Sequence, residues 1–202
     1  MKNILVIKSS ISGEKGQSNQ LISHLLAAAA VKSEAITAID LNTKPFPHLE
    51  MSEIASWMTA AEDRSPEQQA LAALSDELIA KVNAADALVI GVPMYNFALP
   101  SQLKALFDRL ARAGVTFKYT EQGPVGLIAD KPVVFVLSRG GVYANSPADS
   151  QVPFLTTFFN FIGLKNLHFV YAEGLNMGPD SAEKATRAAQ QQLEDLAKRL
   201  FV

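Results

Sequence analysis

Three short runs, Ile4-Leu5-Val6-Ile7, Ala87-Leu88-Val89-Ile90-Gly91-Val92 and Val133 to Leu137, are apolar at every position rather than at alternate ones. A strand of that kind has to be covered on both faces, which happens when parallel strands alternate with crossover helices. Ala35 to Leu41 and Leu167 to Tyr171 are weaker candidates of the same sort. Between these runs the apolar spacing turns helical. Ser18 to Val31 carries Leu21, Ile22, Leu25 and Leu26 on one stripe, with Ser18 as a candidate N-cap. Ser65-Pro66-Glu67 opens the next helix with Ser65 as cap and Pro66 at the first helical position, and Leu71, Leu74, Leu78 and Ile79 face its core side. Ser101 to Ala111 stops near Gly114, Val152 to Ile162 is ended by Gly163, and Ser181 to Leu200 is a long polar-faced helix.

The pattern predicts an α/β three-layer sandwich: a five-stranded parallel sheet with helices on both faces. No repeat, low-complexity stretch or linker divides it, so residues 1–202 read as one domain. The least regular stretch is 42–64, with two prolines and Trp57. It reads as a surface excursion, or alternatively as a lid or partner-contacting insertion.

Composition narrows the chemistry. There is no cysteine, so disulfides, thiolate metal sites, iron–sulfur clusters and cysteine nucleophiles are all excluded. Redox chemistry, if any, then needs a bound cofactor. A net charge of -2 leaves no basic footprint for a phosphate backbone, and nucleic acid is not expected as a partner. No apolar stretch reaches the roughly 20 residues that span a bilayer, and the first apolar run is too short for a signal peptide. The expectation is a cytoplasmic protein with no membrane association. His24, His48 and His168 are not spaced for metal binding, and no metal is predicted. Asp108 and Arg109 read as a surface or interface charge set.

In open α/β sheets ligands bind outside the carboxyl ends of the strands, where strand order reverses. The segment after the first strand, Lys8 to Gln20, is rich in hydroxyls and glycine and opens a helix, which suits an anion. It is neither a Walker loop nor G-x-G-x-x-G, so a single phosphate fits better than a pyrophosphate. The same residues also suit an ordinary helix start capped by Ser18. Pro93-Met94-Tyr95-Asn96-Phe97-Ala98-Leu99-Pro100 offers rigid apolar walls and one amide, suited to a flat heterocycle, or else to plain packing against helices. Ser138-Arg139-Gly140-Gly141 allows close backbone approach to a ligand, or simply makes a tight turn. A strand order of 2-1-3-4-5 brings all three segments to one edge, and that convergence favours a ligand site.

These segments, in order and spacing, resemble the FMN-dependent NADH azoreductases (NADH:quinone oxidoreductases). The resemblance runs nearly end to end and is strongest in Lys8-Ser9-Ser10, Gln17-Ser18-Asn19-Gln20, residues 74–79, Pro93 to Phe97, Ala111 to Phe117, Ser138 to Gly141 and Phe161-Ile162-Gly163. It implies a flavodoxin-like fold, non-covalent FMN, NADH or NADPH as donor, and a homodimer with active sites at the interface. It also implies phosphate and ribityl contacts from Ser10, Gly16, Gln17 and Ser18, and an isoalloxazine cradle from Met94, Tyr95, Asn96 and Phe97. Ser138, Arg139, Gly140 and Gly141 would meet the pyrimidine edge. Where some members have a histidine after the paired glycines, this chain has Tyr143.

The implied activity is two-electron, ping-pong reduction of azo compounds and quinones through FMN, with no side chain required as catalyst. Phe117, Tyr119 and Phe161 form an aromatic patch suited to flat acceptors, or else to plain dimer or domain core, and Phe158 reads as core. A flavodoxin-like electron carrier would be expected to carry a strongly acidic face, which a net charge of -2 does not suggest. A flavin-free binding module would have no use for the phosphate loop and aromatic cradle.

Overall fold

Every residue of Ala87–Pro93 and of Val133–Ser138 is buried, as runs apolar on both faces require. The computed structural model describes residues 2–201. In chain order the elements are β1 (Ile4–Lys8), α1 (Gln17–Ala28), β2 (Ile36–Asp40), α2 (Met51–Met58), α3 (Pro66–Ala84), β3 (Ala87–Pro93) and α4 (Ser101–Leu110). Then follow β4 (Phe117–Thr120), β5 (Gly123–Gly126), β6 (Val133–Ser138), α5 (Gln151–Ile162), β7 (Leu167–Ala172) and α6 (Pro179–Leu200).

The main sheet runs β2-β1-β3-β6-β7 with every pairing parallel. Counted within that sheet, this is the expected 2-1-3-4-5 order of a flavodoxin-like fold. The two-residue period of a strand divides each run between two cores. Leu5, Ile7, Leu88, Ile90, Phe135 and Leu137 face the core shared with α3, α4 and α5. Ile4, Val6, Val89, Val134 and Val136 face the one shared with α1 and α6. Strand order reverses between β1 and β3, and the loops that follow both strands open at that point.

The ends of α1 differ from expectation. Gly16 is the residue before the first helical turn, Ser18 sits inside that turn, and no side chain among the described residues caps the helix. The helix also stops at Ala28, three residues before Val31, with Ala30 at positive φ. By contrast Ser65 makes the expected cap on α3: its hydroxyl accepts from Gln68 N while Gln68 accepts from Ser65 N, a reciprocal box. Leu78 and Ile79 are buried as expected, but Leu71 and Leu74 are only half-buried.

Two elements were not visible in the sequence. One is the β4–β5 hairpin, an antiparallel pair outside the main sheet. It packs where Gly126 meets Gly163, so closely that a Cβ on Gly126 would come within 2.1 Å of Gly163 N. The other is α2, inside the irregular 42–64 stretch, which lies against α3.

Arg109 corrects the surface-charge reading, since its side chain has no exposed area. Its guanidinium donates to Glu53 Oε2 at 2.5 Å, and to the carbonyls of Pro47 and Ala105 at 2.8 Å each. A buried guanidinium needs such neutralisation, and the pair fastens α2 and the strap before it to α4. Asp108, paired with Lys104, does lie at the surface. Removing one partner of the Arg109–Glu53 pair leaves an uncompensated buried charge. Glu53→Ala is therefore expected to cost about 3–5 kcal/mol in urea unfolding, and Glu53→Leu with Arg109→Met to recover most of it.

Candidate cofactor-binding cleft at the carboxyl edge

The loop after β1 is built around a backbone approach. A Cβ on Gly16 would come within 2.1 Å of Ser10 Oγ, so only glycine allows this turn to lie on Ser10. Gly16 enters α1 in an extended conformation, and Gln20 N makes the first intrahelical bond, to Gly16 O at 3.0 Å. The N–H groups of Gln17, Ser18 and Asn19 therefore point out of the helix end without intrahelical acceptors. Ser18 Oγ and Asn19 Oδ1 are buried beside them with no hydrogen-bond partner among the described residues. Asn19 was given no contact of its own in the sequence, yet its Nδ2 holds the loop by donating to Gly13 O at 2.9 Å.

This loop is tied to the one after β3. Ser9 Oγ donates to Gly91 O at 2.6 Å, and Tyr95 Oη lies 3.2 Å from both Ser10 Oγ and Ile11 N. Tyr95 and Ala98 exchange reciprocal backbone bonds of 2.9 and 3.0 Å, closing a tight turn with Asn96 and Phe97 at φ of 49° and 64°. A bulky side chain at positive φ is strained. The turn is held from outside: Gln151 Nε2 donates to Pro93 O at 3.1 Å, and Ser150 Oγ donates to Phe97 O. The result keeps Phe97 59% exposed at the cleft mouth, edge-on to Tyr143 at 5.7 Å.

The third segment approaches from β6. Met94 N donates to Ser138 O at 2.9 Å. The carbonyls of Gly140 and Gly141 accept from Asn176 N and Gly174 N at 3.0 and 2.8 Å, while their own N–H groups have no acceptor among the described residues. A Cβ on Gly140 would meet Asn176 Nδ2 at 2.5 Å, and one on Gly141 would meet Tyr143 Oη at 2.7 Å. Met94, Asn96, Phe97, Gly140, Gly141, Tyr143 and Asn176 together line a cleft of about 460 Å³.

Arg139 stands apart from its neighbours. Its guanidinium is turned into the protein with no exposed area, bidentate on Asp149 at 2.8 and 3.1 Å. It also donates to Gln151 Oε1 and Glu173 Oε1 at 2.9 Å each. Glu173 Oε1 in turn accepts from Tyr143 N and Ala144 N, both at 2.9 Å. Arg139 thus fixes the walls of the cleft rather than facing into it. Among the described residues no three His, Cys, Asp or Glu side chains are grouped to hold a metal ion.

Phe117, Tyr119 and Phe161 do come together: Phe117 lies 4.2 Å from Phe161 and 5.5 Å from Tyr119, ring centre to ring centre. They sit on the hairpin and at the carboxyl end of α5, at the opposite end of the sheet from the cleft. Phe158 packs on Phe107 at 5.2 Å, against the core.

The flavodoxin-like fold family matches residues 2–197. An FMN-dependent NADH:quinone oxidoreductase of Alteromonas mediterranea is 48% identical over 199 residues, covering 98% of this chain and 100% of the relative. This chain belongs to that flavodoxin-like family. A relative of the same description from Cellvibrio japonicus is 47% identical over 196 residues, covering 96% of this chain and 98% of its own length. Among solved structures, an azoreductase from Bacillus anthracis str. Sterne superposes with a TM-score of 0.88 at 31% identity, over 99% of this chain and 100% of that one. An FMN-dependent NADH-azoreductase from Bacillus anthracis str. Ames Ancestor, solved in complex with FMN, gives 0.88 at 26% identity with both chains fully covered.

Within this flavodoxin-like family member, the residues that sequence reasoning missed are Asp149, Gln151, Glu173 and Asn176. Only Gln151 carried a signal, as the residue just before the predicted start of the aromatic helix. Glu173→Ala should release Tyr143 N and Ala144 N. Their hydrogen exchange, read by NMR, is expected to speed up by about 10-fold or more while β6 amides stay protected. Unchanged exchange at those two amides would show that Glu173 does not hold the loop.

Proposed function

We propose that this chain is an FMN-dependent NADH:quinone oxidoreductase that also reduces azo compounds, with residues 1–202 acting as one FMN-binding domain. The observation that carries this reading is the uncapped end of α1. Three outward N–H groups, a buried Ser18 hydroxyl with no partner among the described residues and the bare Gly16 backbone stand together beside a cleft large enough for a flat ring. Those donors suit a phosphate monoester, because a helix N-terminus favours an anion without needing a cationic side chain. The residues present therefore fit FMN. Gln17 and Ser18 N–H groups with Ser10 and Gly16 would hold the phosphate and ribityl end, and Met94, Tyr95, Asn96 and Phe97 the ring.

Bound there, FMN supplies two-electron redox chemistry that no side chain of a cysteine-free chain offers. The chain's part is to bind, orient and polarise. Ser138 and the free N–H groups of Gly140 and Gly141 would meet the pyrimidine edge, where such donors stabilise negative charge. Arg139, through Asp149 and Glu173, keeps those donors in place. No side chain is assigned as a general acid. A chain without cysteines loses nothing in a reducing compartment, and we place the reaction in the cytoplasm on that ground.

The reading includes a homodimer with active sites at the interface. Phe117, Tyr119 and Phe161 sit away from their own cleft; Phe117 is buried and Phe161 half-buried, while Tyr119 is 74% exposed, and Met58, at the end of α2, is 83% exposed. Large apolar side chains left this exposed suit burial against a partner. In a dimer they can line the partner's cleft and receive a flat quinone or azo acceptor. Tyr119→Asp with Met58→Asp is expected to shift the protein from dimer to monomer in sedimentation, with quinone turnover lost and FMN retained.

The deciding measurement is the visible spectrum of the purified protein with FMN, before and after anaerobic NADH and then a quinone. Bleaching by NADH and recovery with quinone is the expected result. FMN that NADH cannot bleach would favour an electron carrier, and failure to bind FMN at all would overturn the reading. A companion variant tests the anion site itself. Gln17→Pro removes one N–H at the first helical position, where proline is tolerated. It is expected to weaken FMN binding about 10- to 100-fold with unfolding unchanged.

A further inference from the structure

A second cavity lies on the other side of the molecule's edge, between β2, the strap of residues 43–47 and α3. It has a volume of about 440 Å³, within the roughly 300–1,000 Å³ of small-molecule sites. Its floor is Ile39, Phe46, Leu74 and Leu78. Leu74 belongs to the core-facing stripe of α3 yet is only half-buried, because the space it faces is unfilled. Apolar surface left facing such a space forgoes the stabilisation that burial gives, so a closely packed chain would be expected to collapse over it.

This wall cannot collapse, because it is pinned at both ends. Phe46 lies under the Arg109 guanidinium at 5.3 Å, and Pro47 O accepts from Arg109 at 2.8 Å, so the buried ion pair with Glu53 anchors one end. At the other end Lys44 N and Thr43 Oγ1 both donate to Asp40 O, at 3.0 and 3.1 Å. Pro45 and Pro47 stiffen the span between. The hollow is therefore preformed, which lowers the cost of filling it.

The rim decides what kind of molecule fits. It holds Asp40, Lys44, Glu77 and Lys81. Glu77 faces Lys81 at 3.9 Å, and the Asp40 carboxylate accepts from Asn42 N at 2.9 Å. Lys44 has no acidic partner within 4.0 Å among the described residues. An apolar floor with one unengaged cation at its rim complements a molecule with an apolar body and a single negative head.

We infer that this hollow is a binding site for an amphipathic organic carboxylate, separate from the cleft at the carboxyl edge. The apolar body fills the space over Leu74 and Leu78, and the carboxylate meets Lys44. Because the four rim groups sum to no net charge, the floor supplies most of the affinity and Lys44 the preference for an anion.

The test is titration calorimetry of the FMN-loaded wild-type protein with decanoate and with the uncharged decanamide. Decanoate is expected to bind one to one, about 5- to 10-fold more tightly than decanamide, a preference of the size a single solvent-accessible charge gives. Lys44→Gln should remove that preference without changing decanamide binding. Leu74→Trp, which fills the hollow, should abolish binding of both. FMN content and NADH–quinone turnover should stay at wild-type levels in both variants, and this also reports that they fold. No binding to the wild-type protein below the aggregation concentration of decanoate would overturn the inference. So would binding that survives Leu74→Trp, or that quinone displaces competitively, since either puts decanoate elsewhere. A preference for decanoate that survives Lys44→Gln would overturn the assigned anion contact.

Discussion

The cleft depends on the buried guanidinium of Arg139. A charge with no access to water costs several kcal/mol to place, and that cost is offset only when every donor finds a partner in good geometry. Here the partners come from different parts of the chain: Asp149 and Gln151 from the start of α5, and Glu173 from the loop after β7. Once those contacts are made, little else at the edge can move independently. Gln151 fixes the strained turn at Asn96 and Phe97, and Glu173 fixes the backbone around Tyr143. A site that must present backbone N–H groups to a ligand needs this kind of support, because loops alone do not hold a geometry.

The sheet decides where that support is needed. Parallel strands deliver their carboxyl ends to one side, and reversal between β1 and β3 parts the loops there. Chemistry can then be gathered from segments that are remote in sequence and adjacent in space. The opposite end of the sheet receives the hairpin with its exposed Tyr119, so the two ends have different surfaces.

Much of this was legible in the sequence, and the reasons are physical. β1, β3 and β6 announce themselves because burial on both faces leaves no polar position in the run. The Ser65 cap and the Gly163 stop are local motifs whose partners lie within a few residues. The three loops could be assigned to one edge as soon as the strand order was known. What stayed hidden is long-range or masked. Arg109 looks like a surface residue because Glu53 is 56 positions away, and Glu173 is 34 positions from Arg139. The hairpin was obscured by Gly123, Pro124 and Gly126, residues that weaken a strand signature. Ser18 has the chemistry of a cap, but the extended Gly16 takes the position before the helix and leaves the hydroxyl inside its first turn.

The close seating of Gly126 on Gly163 has a mechanical consequence. It leaves no room for a side chain, so the hairpin and the end of α5 share one rigid joint. At its other end α5 starts at Gln151, among the contacts that brace the cleft. The helix is thus a strut of twelve residues, roughly 18 Å long, with one foot in the cleft and the other under the aromatic surface at the far end. Load applied to Tyr119 has a direct path to the turn that carries Phe97, and a disturbance in the cleft has the same path outward. Two copies meeting through that surface would not hold independent sites. Each would lean on the other's strut.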